Sequence, residues 1–340
     1  MDPAEEKLMT DTERLLAALR EDAARIDAAM REDLQRLAPT VDNLLFDVLE
    51  YSLFNGGKRI RPLLVVIAAR LCGRIDGEVY QLARAFEYLH AATLLHDDVI
   101  DNAETRRGRP SVNRQYGLVT AILTGDFLHA RSMAIVGQIG GRVALALFSG
   151  AATGMVDGEF MQLRNAGMYN LSESDYHDVI IGKTGMLIAA ACEIGVVCAG
   201  GGALERRAMC VYGTELGCAF QMIDDLLDYQ GDANKTGKLV GNDLAEGKMT
   251  LPLILALHQA DKKDRERLLA ILADDSVRRH AFDEVYGLID KYGGFAGTRK
   301  RAENSISNAV KQLEIFTERV SLRDVAVLQG LAEYVLRREK

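Results

Sequence analysis

The sequence predicts an all-α protein, and three observations carry that reading. Proline is scarce, with 5 among 340 residues, while helix-favouring Ala, Leu, Glu and Arg are abundant. Helical periodicity recurs along the chain, whereas strand-like alternation bounded by turn residues is hard to find. Hydrophobic residues make up 48% of the sequence, ample for a large core. No Ser/Pro/Gly linker or fixed-period repeat divides the chain, so one helical domain over 1–340 is expected.

The elements follow in order. Residues 2–37 read as a charged amphipathic helix on the periphery, ended by Pro39. Residues 41–54 form the next helix, closed by Asn55-Gly56-Gly57. Pro62 suits the first turn of a helix over 62–72. A long helix spans 78–101, and a polar, basic loop covers 102–113. Helices are expected over 118–139 and 143–164, then one capped by Ser172 or Ser174 that reaches 181. The helical pattern continues over 184–199 and 203–229. Residues 231–249 show little periodicity, and loops that long are uncommon unless functional. Four or five shorter helices fill 250–338.

Composition narrows the function. A net charge of −8 argues against nucleic acid as a partner. The five cysteines form no C-x-x-C pair and look like small apolar residues, which fits a reducing, cytoplasmic compartment. The N-terminal residues are acidic, unlike a secretory signal. Residues 186–204 approach membrane-span length with only Glu193 charged, but read as a buried helix ending in Gly200-Gly201-Gly202.

Two aspartate pentads stand out: Asp97-Asp98-Val99-Ile100-Asp101 and Asp224-Asp225-Leu226-Leu227-Asp228. Each sits in an otherwise apolar helical stretch. At about 100° per residue, the first and fifth positions of a pentad lie within about 40° of each other. Asp97 thus shares a face with Asp101, and Asp224 with Asp228. Like charges at that spacing repel, and an apolar setting adds to the cost unless cations neutralise them. Hard oxygen ligands point to Mg2+, which typically bridges carboxylates to substrate phosphates.

Basic residues supply the complementary half. Lys58, Arg59 and Arg61 follow two glycines, and Arg106, Arg107 and Arg109 follow the first pentad. Lys183, Lys235, Lys238 and Lys248 fall near the second. Such clusters beside acidic pentads suit an anion shared between metal ions and cationic forks, and diphosphate fits. Metal-neutralised diphosphate is a good leaving group, and the carbocation left behind needs a dry, apolar pocket. The residues therefore read as Mg2+-dependent cleavage of a C–O bond to diphosphate. Rival readings explain less. His96-Asp97 hints at a phosphohydrolase, and Glu87-x-x-His90 with Asp126-x-x-His129 loosely imitates a di-iron bundle, yet neither explains the second pentad.

Taken in order, the motifs resemble the trans-type polyprenyl diphosphate synthases. They are Gly-Gly-Lys58-Arg59-Ile60-Arg61-Pro62, Leu89-His90 through His96-Asp97-Asp98, Arg106-Arg107-Gly108, Gly125-Asp126-Phe127, Lys183-Thr184, Phe220 through Asp225, and Gly247 through Pro252. The likeness covers nearly everything after residue 40 and is greatest to octaprenyl and similar medium- and long-chain members. It implies an isoprenoid synthase fold around a deep cavity, a homodimer, and two or three Mg2+ per site. It implies that Asp97, Asp98 and Asp101 hold metal on an allylic diphosphate of farnesyl or geranyl type. Asp224, supported by Asp225 and Asp228, is expected to do so from the other side. Arg106 is expected to bind the allylic diphosphate, and Lys58, Arg61, His90 and Arg107 isopentenyl diphosphate. Lys183, Thr184, Gln221, Lys238 and Lys248 are expected to line the diphosphate region.

The first pentad has two residues between Asp98 and Asp101, not the four of many bacterial farnesyl synthases, and Met249 stands where proline is common. Product length is expected to depend on Ala91, Ala92 and Thr93, small residues where short-chain relatives carry a bulky aromatic. One helical turn of about 5.4 Å is comparable to an isoprene unit, so an unblocked helix admits a long tail. Phe86 is a candidate floor, as are the helices over 118–139 and 143–161. An octaprenyl-like product is expected, with a geranylgeranyl or farnesyl product as the alternative. A class I terpene cyclase is a remote alternative, because the second aspartate pentad and the basic set suit a second diphosphate better. A regulatory subunit of a heteromeric synthase tends to lose its aspartates, and both sets are intact here. Membrane contact is expected to be transient at most, during product release.

Overall fold

The computed structural model describes residues 11–169, 172–231, 240–316 and 322–338, with side chains from residue 19 onward. It is all-α. The one strand pairing among the described residues is a two-residue hairpin, Thr105–Arg106 against Arg109–Pro110, in the basic loop. Two compact units are present. The first comprises Met1–Gly150, Ala190–Arg207 and Phe316–Val327, and the second Ala151–Ala189, Ala208–Ile315 and Leu328–Lys340.

The first unit is organised around the helix Gly77–Ile100, which Asp76 starts by accepting a hydrogen bond from the Glu78 amide. This helix carries the first pentad and packs on Ile60–Leu71 and Leu118–Ile135. Its apolar positions run on several faces, so Leu82, Ala85, Phe86 and Tyr88 are all fully buried. Phe86 meets Phe148 edge to face, with ring centroids 4.9 Å apart.

The helix Asp11–Leu37 docks on this unit through charge as well as through Ile26 and Met30. Asp22 accepts from Arg70 at 2.7 Å and from the Tyr80 hydroxyl at 2.7 Å. Asp33, fully buried, takes Arg84 at 3.2 Å, Arg131, and the Tyr88 hydroxyl at 3.1 Å. Carboxylates this deep are tolerated because each is paired and hydrogen-bonded.

The second unit carries the second pentad on the later part of Ala203–Gln230. Ser172 caps Glu173–Ile180 in a reciprocal box with Asp175, which decides between the two candidate caps. A π-turn, Ile181–Gly185, follows directly, and Lys183 and Thr184 lie in it. Such bulges are frequent at functional sites. Another, Val136–Gly140, stands where an uninterrupted helix over 118–139 was expected. The expected helix over 186–204 is Met186–Cys198, with Ala191, Cys192, Ile194 and Val196 fully buried.

The segment 231–249 is less plain than its composition suggests. A short helix, Asn242–Ala245, forms within it, and residues 232–239 lie outside the described residues. Among the described residues between 251 and 336, six α-helices stand in place of four or five. The extra one, Asp275–Arg278, is a single turn capped by Asp274, which accepts from the Ser276 and Val277 amides.

Candidate active site

The first pentad ends its helix, with the Asp101 amide bonded to the Asp97 carbonyl at 2.8 Å. Asp98 points inward, 3% exposed, and is held by Arg106, whose Nε donates at 2.9 Å. The cation expected to bind the allylic diphosphate therefore rests on the pentad. Asp97 is half-buried and Asp101 exposed. Beside them opens a cleft whose lining includes Asn55, Glu87, His90, Ala91, Arg106 and Arg107.

The loop before Ile60–Leu71 shapes that cleft. Gly56 and Gly57 adopt φ of 76° and 139°, and Arg107 packs on them by donating to the carbonyls of Gly56 and Asn55. Cations crowd here. Burial lowers Arg61 and Arg107 below the ordinary guanidinium value, with Glu87 opposing the shift; Arg59 and Arg106 add to the lowering at Arg107. Burial, then Arg61, Arg107, Arg106 and Arg59 together push His90 well below its ordinary value, leaving a neutral imidazole. Buried Nε of Arg61 has no hydrogen-bond partner among the described residues. Cations gathered so that they depress His90 and Arg107 make a setting that favours an anion.

The second pentad shows the opposite strain. Asp225 is buried and accepts from neutral donors, the Tyr176 hydroxyl at 2.6 Å and the Gln221 amide at 2.9 Å. Thr184 extends the chain by donating to Gln221 at 3.1 Å. Burial and Asp243 raise the Asp225 carboxyl, and the same two causes push Asp228 up to about 6. Asp243 is itself raised by burial despite Lys248 at 3.4 Å. Asp224 is half-exposed with Arg338 at 3.4 Å. Lys183 sits on Glu159 at 2.7 Å and Gln162 at 3.2 Å. Glycines permit this approach: a Cβ on Gly158 would lie 2.6 Å from the Lys183 amide.

Among the described residues no three His, Cys, Asp or Glu side chains enclose a cation alone. The donor chemistry still fits a divalent ion. Carboxylates held above their ordinary range by burial and by one another want positive charge, and Mg2+ commonly completes its shell with water and phosphate.

Residues 42–289 match the family model of polyprenyl synthetase. The chain belongs to the polyprenyl synthetase family. It is 35% identical over 290 residues to octaprenyl diphosphate synthase of Escherichia coli, covering 85% of this chain and 88% of that one. It is equally 35% identical to a short chain isoprenyl diphosphate synthase of Methanothermobacter thermautotrophicus, over 85% and 89% of the two chains. A crystal structure of a Caulobacter crescentus polyprenyl synthase, complexed with calcium and isoprenyl diphosphate, matches at a TM-score of 0.85. That pair shares 33% identity over 96% of this chain and 98% of that one.

As a polyprenyl synthetase, the chain has the all-α isoprenoid synthase fold and is a trans-prenyl diphosphate synthase. The family takes isopentenyl and allylic diphosphates and depends on divalent metal. Of the expected site residues, Arg61, His90, Arg106 and Arg107 gather in the first unit, and Lys183, Thr184, Gln221 and Lys248 lie near the second pentad or its loop. Lys58 is exposed on the glycine loop, and Lys235 and Lys238 lie outside the described residues. Ala91 lines the basic cleft, Ala92 is 2% exposed, and the Thr93 hydroxyl bonds to the His90 carbonyl at 2.9 Å.

Asn55, Asp243, Glu159 and Gln162 belong to none of the sequence motifs, and Glu87 stood out only in the rejected di-iron pattern. Glu87 is no iron ligand candidate; it takes Arg59 at 2.6 Å. A glutamate at a buried helix position implies a charge partner, though nothing near Glu87 in the sequence says that it is Arg59, 28 residues away.

Proposed function

We propose that this protein condenses isopentenyl diphosphate repeatedly onto an allylic diphosphate, with Mg2+, to make an all-trans product of about octaprenyl length. In this reading Asp97, Asp98 and Asp101 would hold Mg2+ for the allylic diphosphate, as would Asp224, Asp225 and Asp228, two or three ions in all. When bound, the metal stabilises charge developing on the departing diphosphate. Lys183, Thr184, Gln221, Lys238, Lys248 and Arg106 orient that diphosphate. Lys58, Arg61, His90 and Arg107 fix isopentenyl diphosphate. The isopentenyl double bond attacks the allylic cation, and the released diphosphate is the base for the final proton.

The observation that carries the length is the helix before Asp97. Ala91, Ala92 and Thr93 offer no bulky plug, and the first aromatic on Asp97's side is Phe86, eleven residues back. At about 1.5 Å and 100° per residue it lies about 16 Å away and within about 20° of the same face. Phe86 is fully buried against Phe148, which suits a floor. Identity alone does not favour a length, since octaprenyl and short-chain relatives match equally. The test is product chromatography with farnesyl and isopentenyl diphosphates. Eight-unit products support the reading, whereas products stopping at 15 or 20 carbons favour a farnesyl or geranylgeranyl synthase.

A homodimer belongs to the same proposal. Leu118, Val119 and Leu123 are exposed on one helix, as are Val156, Phe160 and Leu163 on Gly141–Asn165. Apolar stripes of this kind suit a second copy. The five cysteines are thiols, which suits a cytoplasmic location.

A further inference from the structure

We infer that Asp27, on the N-terminal helix, is a positioning residue for isopentenyl diphosphate. The inference rests on the reading that Lys58, Arg61, His90 and Arg107 hold that substrate. Its starting point is Arg59, the one basic residue of the glycine loop motif with no assigned part. Arg59 is 5% exposed and sits at φ 51°, a left-handed conformation that a side chain of its size rarely keeps without support. Three anchors supply that support. Arg59 Nε donates to Asp27 at 2.8 Å, Nη1 to Glu87 at 2.6 Å, and Nη2 to the Leu53 carbonyl at 2.8 Å. With two carboxylates on its guanidinium, Arg59 is a strut and not an anion ligand. Burial acts against its charge, and Glu87 and Asp27 more than offset that.

What the strut holds is the substrate loop. Lys58 precedes Arg59, Arg61 follows two residues later, and Arg107 rests on the carbonyls of Asn55 and Gly56. A shift of Arg59 therefore moves the groups assigned to isopentenyl diphosphate. Leu53 and Glu87 lie within residues 42–289, whereas Asp27 comes from the helix before them. Asp27 also differs from its neighbours on that helix. Asp22 and Asp33 are buried and, with Ile26 and Met30, dock the helix, but the Asp27 side chain is 42% exposed. The helix therefore stays seated without it, and what is lost is the grip on Arg59.

Steady-state kinetics on the full chain with Mg2+ test this, varying each substrate in turn. For Asp27→Ala, KM for isopentenyl diphosphate is expected to rise about three- to tenfold, the scale of one partly exposed charged contact. The allylic KM, kcat and thermal midpoint are expected to stay within about twofold or a degree of wild type. Asp27→Glu should restore the wild-type KM, and Asp27→Asn should fall between. An unchanged KM in Asp27→Ala overturns the inference. So does a joint change in both KM values, kcat and the midpoint, which marks a structural role only. Arg61→Ala, run alongside, separates the layers. If it raises KM for isopentenyl diphosphate and Asp27→Ala does not, only Asp27 is wrongly assigned. If it leaves that KM unchanged, the parent reading fails and this inference with it.

Discussion

The two units carry clusters of opposite strain. In the first, Arg107 and His90 line a cleft with Arg61 behind His90, and all three are lowered by burial, with neighbouring cations deepening the shift at Arg107 and His90. In the second, Asp225, Asp228 and Asp243 crowd the end of a helix and are raised by burial, with carboxylate neighbours adding to it. The basic cleft carries positive charge that suits an anion. In the acidic cluster Lys248 pairs with Asp243 and Arg338 with Asp224, while Asp225 accepts from the neutral Tyr176 and Gln221, so its carboxylates suit a cation. The difference points to a division of labour between substrates: the basic cleft would hold isopentenyl diphosphate directly, whereas the allylic diphosphate would be held through metal as well as by cations.

The largest effect should come from the acidic cluster. Asp224→Ala is expected to lower kcat about a thousandfold or more while far-UV circular dichroism stays unchanged, because neutralising the charge on the departing diphosphate supplies much of the rate. Near-wild-type turnover would break the comparison. On the basic side, Arg61→Ala should raise KM for isopentenyl diphosphate about a hundredfold with a smaller change in kcat, the scale of a lost charge-assisted contact. Equal losses for both substrates would mean the cleft is not selective. Ala92→Phe should leave turnover within about tenfold and shorten the product by one or more isoprene units, read by chromatography. Unchanged length would put the tail elsewhere.

The smallest effect is on stability. The Asp228 carboxyl has an ordinary value of 3.8 and is raised to about 6 in the fold. Its protonated form is the better tolerated, so its stabilising contribution is present below 3.8 and lost as pH rises through about 6. In chelator at pH 7.5, Asp228→Asn should raise the thermal midpoint by about 2–4 °C. At pH 4 the gain should vanish. A lower midpoint at both pH values would show that the carboxylate is not strained.

Much of this was legible in the sequence, because its signals are local. A pentad on a helix needs only the 3.6-residue repeat, and Ser172 and Pro62 mark helix starts within a few residues. Less legible were features set by partners far along the chain. Nothing near Asp33 announces Arg84 and Arg131, and nothing near Asp27 announces Arg59. Asp243 reads as a loop acid until the fold sets its amide 3.0 Å from Asp228. The π-turn at Ile181–Gly185 escaped for another reason: its two glycines mark only a break between helices, and the close approach of Gly158 and Gly182 is tertiary.

The division of labour itself can be measured by calorimetric titration of wild-type protein with each diphosphate, in Mg2+ and in chelator. The account predicts that isopentenyl diphosphate binds with affinities within a few-fold in the two conditions, because Arg61 and Arg107 need no metal. It predicts that a non-reactive allylic diphosphate analogue loses about a hundredfold or more in chelator. If isopentenyl diphosphate also needs Mg2+, or the allylic analogue does not, the two clusters do not divide the work in this way.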